Sequence, residues 1–298
     1  MPAMIATDAR PLDPETLTLL QEWVGRTETL QDDVTGVPVR ALAATLDLPA
    51  PDLSQPMAVP PLWHWLYFLP LHRQSELGPD GHARRGGFLP PVPLPRRMWA
   101  GGRLRWRPEN RVMLGDAVQR VSRIESVQHK AGRTGDLVFV LVRHEVHNAR
   151  GLALTEEHDI VYRAAPRPGD PAPAAVAAEA GAAWRREITP DDVLLFRYSA
   201  LTFNGHRIHY DRRYVTEVEG YPGLVVHGPL IATLLADLVR RHVPAARMDG
   251  FEFKAVRPMY DLHPFSVNGQ PSADGRSVRL WAADHEGRLA MQATATLA

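Results

Sequence analysis

Two short segments in the last third of the chain carry residues that could do acid–base chemistry. The first, at 204–209, places Asn204, His206 and His209 close together, so an amide and two imidazoles share one stretch of chain. The second, at 227–229, is His-Gly-Pro and opens an apolar stretch with helical spacing. An imidazole can take or give a proton near neutral pH. Together the two segments predict a site that moves protons.

The second segment also predicts a backbone donor. Gly228 precedes Pro229, and proline is favoured in the first turn of a helix, so we predict a helix over Pro229–His242. The N–H of Gly228 would project from the positive end of this helix with no side chain in front of it. Such a donor stabilises a carbonyl oxygen that gains negative charge. A neutral imidazole beside it is sufficient for adding or removing water next to a thioester.

Each of these features also has a plainer interpretation. A histidine in a loop is often a surface or capping residue, and a glycine before a proline can simply start a helix. His206 and His209 have the spacing of a His-x-x-His metal pair, but no third ligand is evident nearby in the sequence. We therefore predict no metal and no cofactor, and we interpret His206 as a residue that orders the loop.

The composition excludes several other classes of function. Basic and acidic residues both number 34, so no net charge attracts nucleic acid or an anionic membrane surface. The absence of cysteine removes disulfides, thiolate nucleophiles and cysteine-ligated metals. No apolar run reaches the roughly 18 residues of a membrane span, and residues 1–14 lack the order of a signal peptide. We expect a cytoplasmic protein without nucleic-acid or membrane partners.

The 298 residues read as two similar halves. An Ala/Pro-rich linker is predicted at 166–184, between domains at 1–165 and 185–298. Each half has one main helical segment, Val37–Leu48 in the first and Pro229–His242 in the second, ahead of segments that alternate like strands. A helix followed by an antiparallel meander, repeated twice, predicts an α+β duplication.

Three further segments could position the site. A Pro/Gly-rich stretch at 78–95 is longer than most connections inside a domain, which favours a functional lid or an interface. Thr189 precedes a proline and two aspartates, and we predict it as the N-cap of the helix that leads into the histidine loop. Trp63, Trp65 and Tyr67 alternate, which indicates core or inter-half packing.

The order of the two histidine segments resembles a known family, the hydratase 2 or MaoC-like hot-dog dehydratases. In that family a loop of the form Asp-x-Asn-Pro-x-His is followed by a His-Gly segment at the start of the central helix. His209 matches the histidine of the family's loop, and His227 with Gly228 matches the second segment. Asn204 stands where the family has aspartate.

The stretches SALTFNGHRIHYD and EGYPGLVVHGPL resemble one subgroup more closely. It contains the mesaconyl-C4-CoA and itaconyl-CoA hydratases and the mitochondrial 3-hydroxyacyl-thioester dehydratases of type 2. The stretch PPLWHWLYFLP resembles the N-terminal hot dog of that subgroup, so the likeness covers about residues 15–298. The resemblance implies a double hot-dog fold, in which two curved antiparallel sheets each wrap a helix and pair edge to edge, with a non-catalytic first half.

The resemblance also implies roles for individual residues. The substrate would be an enoyl-CoA thioester or its 3-hydroxy product, with a short branched dicarboxylic acyl group. His209 would act as the base, the Gly228 N–H would donate a hydrogen bond to the thioester carbonyl oxygen, and Asn204 would orient water. We predict substrate-binding roles, including recognition of a distal carboxylate, for His206, Arg207, His227, Arg197 and Arg257.

Arg96 and Arg97 would contribute to carboxylate binding if the loop at 78–95 folds over the site. Three other functions stay open: a fatty-acid-type 3-hydroxyacyl-thioester dehydratase, a hot-dog thioesterase and a non-catalytic acyl-CoA-binding protein. A thioesterase would use the same glycine N–H but needs a carboxylate beside it. We expect either a homodimer or a pseudo-dimeric monomer.

Overall fold

The structure is a computed structural model that describes residues 12–132, 135–164 and 174–298. Residues 166–173 of the predicted linker at 166–184 therefore lie outside the described residues, and the proposed domain limits stay predictions. Most of the N-terminal segment at 1–14 lies outside them as well. Within the described ranges, no helix combines the length and the apolar character that crossing a membrane requires.

The described residues form five α-helices and ten β-strands. The helices are α1 (Pro14–Gln21), α2 (Gly36–Thr45), α3 (Asp192–Leu201), α4 (Arg212–Glu217) and α5 (Gly228–His242). The strands are β1 (Thr27–Asp33), β2 (Arg96–Trp106), β3 (Ala117–Gly132), β4 (Gly135–Asn148), β5 (Gly151–Arg163), β6 (Trp184–Ile188), β7 (Met248–Ala255), β8 (Phe265–Pro271), β9 (Ser277–Ala283) and β10 (Leu289–Leu297). Short 3₁₀ turns lie at Trp63–Leu66, Gln74–Glu76 and Arg207–His209.

All ten strands belong to one antiparallel sheet in the order β1-β3-β4-β5-β2-β7-β10-β9-β8-β6. The first five strands in this order come from the first half of the chain and the other five from the second half. The halves meet where β2 pairs with β7, with Leu104 opposite Phe251. Two antiparallel units, each with its own helix and joined edge to edge, are the arrangement that the α+β duplication predicted.

Helix α5 is the central helix of the second half. Every residue from Leu230 to Val239 is buried, and the helix packs against β8, β9 and β10. A helix that is apolar on all sides stabilises a fold only when it is surrounded by core. It begins at Gly228, one residue before the predicted Pro229, and its N-cap is His227.

A buried carboxylate on α5 connects the two central helices. Asp237 accepts hydrogen bonds from Arg241 at 2.6 Å and from Arg186 at 3.2 Å. Both arginines also donate to the carbonyl oxygen of Leu46 at the end of α2, at 3.0 and 3.3 Å. The last carbonyls of a helix lack partners within the helix, and these bonds supply them at the end of α2, which ends at Thr45, three residues before the predicted Leu48.

The N-cap of α3 corrects one prediction. Asp191, not Thr189, is the cap, and its carboxylate accepts from Leu194 N–H at 2.8 Å. An aspartate caps as well as a threonine and its charge complements the helix dipole. The predicted inter-half packing of the aromatic segment is confirmed, because the ring of Trp65 lies 6.2 Å from that of Phe253 on β7.

Candidate active site

Asn204 shapes the loop that follows α3. Its backbone N–H donates to the carbonyl oxygen of Ser199 at 2.8 Å, and its side-chain carbonyl oxygen accepts from His206 N–H at 3.0 Å. Phe203 adopts a left-handed conformation, with φ of 49°, so the chain reverses sharply after the helix. The amide nitrogen of Asn204 makes no hydrogen bond to the described residues. This nitrogen is therefore the part of the side chain left to meet a water molecule or a ligand.

His209 is a buried, neutral imidazole with a defined tautomer. Its Nδ1 lies 2.6 Å from the carbonyl oxygen of Val225, and because a carbonyl only accepts, Nδ1 carries the proton. The lone pair is therefore on Nε2. Burial lowers the pKa of His209 to about 4, so the ring is unprotonated at neutral pH. A neutral imidazole with a free lone pair can act as a general base.

The ring of His227 stacks on that of His209, with centroids 3.8 Å apart and planes inclined by 17°. Its Nε2 lies 2.8 Å from the hydroxyl oxygen of Ser199 on α3. Burial, and then the neighbouring His209, hold the pKa of His227 well below its ordinary value. Two stacked rings that are both buried favour the neutral form of each. The predicted pair of histidine segments is thus brought into direct contact.

The N–H of Gly228 lies at the start of α5, directly after His227. No backbone carbonyl of residues 12–132, 135–164 or 174–298 accepts from it. Apart from its chain neighbours and the backbone of its own helix, a Cβ atom built on Gly228 would meet the Met291 methyl group at 3.9 Å, which is an ordinary van der Waals contact. The position of this N–H is compatible with the predicted role of an oxyanion donor.

A loop from the first half of the chain lies against the histidine loop. We call residues 78–95 the flap. Gly81 has φ of +87°, and a Cβ atom there would fall 1.8 Å from the carbonyl oxygen of Gly205, so only glycine permits this backbone approach. The backbone N–H of Arg207 donates to the carbonyl oxygen of Asp80 at 2.9 Å. Of the two predicted possibilities, lid or interface, the structure shows an interface.

The flap brings a fourth histidine, His82, to the site, and the sequence did not single it out. The ring of His82 lies 3.9 Å from that of His206, and its Nδ1 lies 3.2 Å from a carboxylate oxygen of Asp80. The ring of His206 lies 5.4 Å from that of His209 at nearly a right angle. Burial, and then the proximity of His82, lower the pKa of His206 to about 2. The sequence Asp80-Gly81-His82 inside a long loop is the signal that could have identified Asp80 and His82 as candidate site residues.

Asp80, His82 and His206 are also the residues that could hold a metal ion. Their ligand atoms lie within 4.8 Å of one another, and no other such trio occurs in the described part of the chain. However, the Arg97 guanidinium is near enough to contribute to the lowered pKa of both histidines, after burial and other neighbours. A fixed positive charge disfavours a second cation. The absence of a resident metal stays a prediction.

The predicted arginines are placed differently from one another. Arg207 lies beside the histidine loop, but it pairs with Asp211 at 2.8 Å and its guanidinium lies over the ring of Tyr214. Arg257 pairs with Asp284 at 3.0 Å. Arg197 is exposed on α3. A substrate carboxylate would have to compete with Asp211 for Arg207 and with Asp284 for Arg257. Arg197 makes no contact with the histidines among the described residues.

The first half contains a histidine cluster that the sequence analysis missed. Glu156, buried on β5, accepts from Trp65 at 2.8 Å and lies 2.8 Å from His64 Nε2 and 2.6 Å from His158 Nε2. Burial alone would raise the pKa of Glu156, but His158 and His64 hold it well below its usual range. His158 lies two residues from Glu156 on β5, whereas His64 and Trp65 come from the 3₁₀ turn at Trp63–Leu66, so tertiary contacts that the sequence does not show assemble the cluster.

The fold is that of a double hot-dog protein. The chain is similar to HtdX of Mycobacterium tuberculosis, with a TM-score of 0.63 and 16% identity over 91% of this chain and 99% of that one. It is also similar to a MaoC-like dehydratase of Phytophthora capsici, with a TM-score of 0.61, 11% identity and coverage of 95% and 98%. A Mycobacterium tuberculosis protein described as a double hotdog fold matches with a TM-score of 0.54 and 15% identity, over 92% and 96%. These similarities confirm the predicted fold class.

Residues 62–261 match the family described as hydroxyacyl-thioester dehydratase type 2, and the chain belongs to this family. It is 46% identical to the mesaconyl-C(4)-CoA hydratase of Chloroflexus aurantiacus over 92% of this chain and 96% of that protein. It is 26% identical to the mitochondrial hydroxyacyl-thioester dehydratase type 2 of Schizosaccharomyces pombe over 80% and 88%. The predicted family and the predicted enzyme class, a hydratase or dehydratase, are confirmed.

Proposed function

We propose that the protein adds water to a short branched dicarboxylic enoyl-CoA thioester, mesaconyl-C4-CoA in the first place, or removes water in the reverse direction. The observation that supports the chemistry is the neutral ring of His209, which stacks on His227. His227 is the residue directly before Gly228, whose N–H is the candidate oxyanion donor. The observation that supports this substrate is the 46% identity to a mesaconyl-C(4)-CoA hydratase along nearly the whole chain.

In the proposed reaction the thioester carbonyl oxygen accepts a hydrogen bond from the Gly228 N–H. His209 Nε2 takes a proton from water, whose oxygen forms a bond to C3 of the enoyl group, while the C2–C3 π electrons move toward the thioester carbonyl. The imidazolium then gives the proton to C2, so that one water is added in total. An oxyanion donor of this type is typically worth about 3 kcal/mol of transition-state stabilisation.

Asn204 cannot exchange protons, and its amide nitrogen orients the attacking water in this proposal. His206 and His227 complete the substrate site, His227 by stacking on the base and His206 by linking the loop to the flap. The protein works with an acyl-CoA, without nucleic-acid or membrane partners and without a cofactor, in the cytoplasm. A homodimer or a pseudo-dimeric monomer is proposed as the assembly.

A substrate screen tests the proposal. Mesaconyl-C4-CoA, itaconyl-CoA and crotonyl-CoA are supplied separately, and loss of enoyl absorbance is recorded in parallel with release of free CoA thiol. We expect loss of enoyl absorbance without thiol release, with the highest kcat/KM for mesaconyl-C4-CoA. Thiol release would instead identify a thioesterase. Faster hydration of crotonyl-CoA would replace the dicarboxylic substrate by a general enoyl thioester, as in a fatty-acid-type dehydratase, and binding without turnover would indicate a non-catalytic protein.

A further inference from the structure

The turn that carries His209 lacks a local cap at its start. This 3₁₀ turn covers Arg207–His209, and the residue before it, His206, makes no capping hydrogen bond with its side chain to the described residues. The first backbone N–H groups of a helical turn have no partner within the turn. The N–H of Arg207 therefore needs an acceptor from elsewhere in the molecule.

That acceptor comes from the first half of the chain. The Arg207 N–H donates to the carbonyl oxygen of Asp80 at 2.9 Å, and the Arg207 guanidinium donates to the carbonyl oxygen of Pro79 at 3.0 Å. Both acceptors are backbone atoms of the flap. Pro79 and Arg207 lie 128 positions apart in the chain, so the tertiary fold, and not the local sequence, caps the turn.

Two glycines allow the flap to come this close. A Cβ atom on Gly81 would fall 1.8 Å from the carbonyl oxygen of Gly205, and one on Gly205 would lie 3.0 Å from the carbonyl oxygen of Gly81. The Gly205 carbonyl also accepts from the hydroxyl of Tyr210, the residue after His209, at 2.9 Å. A displacement of Gly205 would therefore disturb a contact next to His209.

The tip of the flap, residues 78–82, is a closed turn. Its ends are joined by a hydrogen bond of 2.7 Å from the Gly78 N–H to the carbonyl oxygen of His82. The Asp80 carboxylate accepts from the N–H of His82 at 3.1 Å and lies 3.2 Å from its Nδ1. The ring of His82 in turn lies 3.9 Å from that of His206. A turn held by its own hydrogen bonds can keep another segment in a fixed position.

The capped turn leads directly to the candidate base. The N–H of His209 donates to the carbonyl oxygen of His206 at 3.2 Å, and the Val225 N–H donates to the carbonyl oxygen of Ile208 at 3.0 Å. The Nδ1–H of His209 donates to the carbonyl oxygen of Val225 at 2.6 Å. The position of the imidazole therefore depends on the position of the whole turn, whose first N–H the flap binds.

We propose that the tip of the flap is a positioning element of the active site, which holds the imidazole of His209 at the place where it takes a proton from water. Asp80 and Gly81 act through backbone contacts, and His82 acts through its ring against His206. The first half, which does not contain the base, thus controls the turnover rate of the site in the second half. The inference rests on the role of His209 in the proposed function.

The first test compares two glycines with the same backbone conformation. Gly81 has φ of +87°, and Gly115, on the turn before β3, has φ of +89°. A Cβ atom on Gly115 would meet no heavy atom of the described chain within 4 Å, apart from its chain neighbours. Gly81→Ala and Gly115→Ala therefore add similar backbone strain. Only Gly81→Ala must also widen the 1.8 Å approach to Gly205 to at least 3.0 Å.

We expect Gly81→Ala to lower kcat on the order of 10²-fold, because a displacement of about 1 Å is enough to misalign a base. KM for the enoyl-CoA that the enzyme hydrates fastest should change by less than about threefold, because the tip acts on the base and not on the thioester. Gly115→Ala should leave both values unchanged. A wild-type kcat in Gly81→Ala, or a rise in KM without loss of kcat, would overturn the proposal.

A second pair of variants removes the cap without straining the flap, and it decides the question if Gly81→Ala does not fold. Arg207→Pro lacks the N–H that donates to Asp80, and proline suits the first position of a helical turn. Arg207→Ala keeps the N–H and, like Arg207→Pro, removes the guanidinium. We expect the kcat of Arg207→Pro to be roughly tenfold below that of Arg207→Ala. Equal kcat values in the two variants would overturn the proposal.

A spectroscopic measurement separates this inference from the proposed function. The Nδ1–H of His209, bonded to the Val225 carbonyl at 2.6 Å, should give a slowly exchanging low-field proton resonance that is absent from His209→Ala. We expect this proton to exchange at least about tenfold faster in Gly81→Ala and at the wild-type rate in Gly115→Ala. That result would support the positioning role even if no enoyl-CoA of the screen were hydrated. An unchanged exchange rate in Gly81→Ala would refute it whatever the screen shows.

Discussion

Both halves of the molecule bury a histidine against a serine hydroxyl, and they differ in what the neighbouring histidine contacts. In the first half, Ser122 Oγ lies 2.8 Å from His144 Nδ1, and His144 Nε2 lies 3.3 Å from His158 Nδ1. The series ends on the carboxylate of Glu156. In a buried setting a carboxylate stabilises protonated imidazole, so this arrangement is suited to a fixed ion cluster.

In the second half the corresponding contacts lead to a backbone carbonyl. Ser199 is bonded to His227, which stacks on His209, and His209 donates to the carbonyl oxygen of Val225. A carbonyl fixes the tautomer without adding a full negative charge, and burial keeps the ring neutral with the lone pair on Nε2. The group that accepts from the histidine therefore separates the two sites. A carboxylate accepts in the structural cluster, and a backbone carbonyl accepts at the candidate base.

The largest expected effect comes from removing the candidate base. His209→Ala should lower kcat on the order of 10²–10⁴-fold, because it removes the imidazole that takes the proton from water in the proposed mechanism. The measurement is kcat for enoyl-CoA hydration, with circular dichroism to confirm folding. As a control, His285→Ala removes an exposed histidine on the hairpin between β9 and β10 and should leave kcat unchanged. Near-full activity of His209→Ala would end the assignment of the base.

The second prediction concerns stability and the cluster of the first half. Glu156→Gln should lower the free energy of unfolding by about 3 kcal/mol, because it removes the buried charge that His64 and the half-buried His158 face. Activity per folded molecule should be retained. Glu157→Gln is the matched control, since Glu157 pairs with Arg103 near the surface and such pairs are worth at most about 1 kcal/mol. Urea denaturation measures both variants.

The pH dependence of unfolding sharpens this test. The pKa of Glu156 is depressed in the folded state, so its contribution to stability is present above its unfolded pKa and is lost as the pH falls. The wild type should therefore lose more stability than Glu156→Gln between pH 7 and pH 4. Parallel losses in the two proteins would show that Glu156 is not the ionised centre of the cluster.

The fold and the second-half site were largely predictable from the sequence, because they depend on local patterns. Helix α5 followed from Pro229 and the apolar spacing after it, and the order of the two histidine segments predicted that they belong to one site, although the stacking of His209 on His227 was not predicted. The cap at Asp191 was misassigned because Thr189 is an equally suitable residue type and local sequence does not choose between them.

The rest could not be predicted because it depends on long-range pairing. Arg97 could be named as a candidate from the sequence, but its position opposite Tyr162 across β2 and β5 depends on the register of the sheet. Glu156 and His64 lie 92 positions apart, and the fold brings them within 2.8 Å of each other. The docking of Gly81 against Gly205 joins residues more than a hundred positions apart. The residue types identified candidate acids, bases and cations, and the tertiary contacts determined which of them lie close enough to act together.

The smallest effect is expected for Asn204→Asp. This change adds a carboxylate to the histidine loop of the second half, as Glu156 adds one to the histidines of the first half. The aspartate can still accept from His206 N–H and so preserve the turn, while it adds an anion to the loop of His209. An anion favours imidazolium and should raise the pKa of His209 above its present value of about 4. A protonated base is inactive, so the acid limb of the kcat/KM profile should move to higher pH.

Asn204→Ala removes the side-chain hydrogen bond of the turn but adds no charge. It should lower kcat roughly tenfold, because the water is no longer oriented, without moving the acid limb. Profiles recorded from pH 4 to pH 10 measure both variants, and an Asn204→Asp profile that superimposes on the wild type would show that residue 204 does not sense the charge on His209.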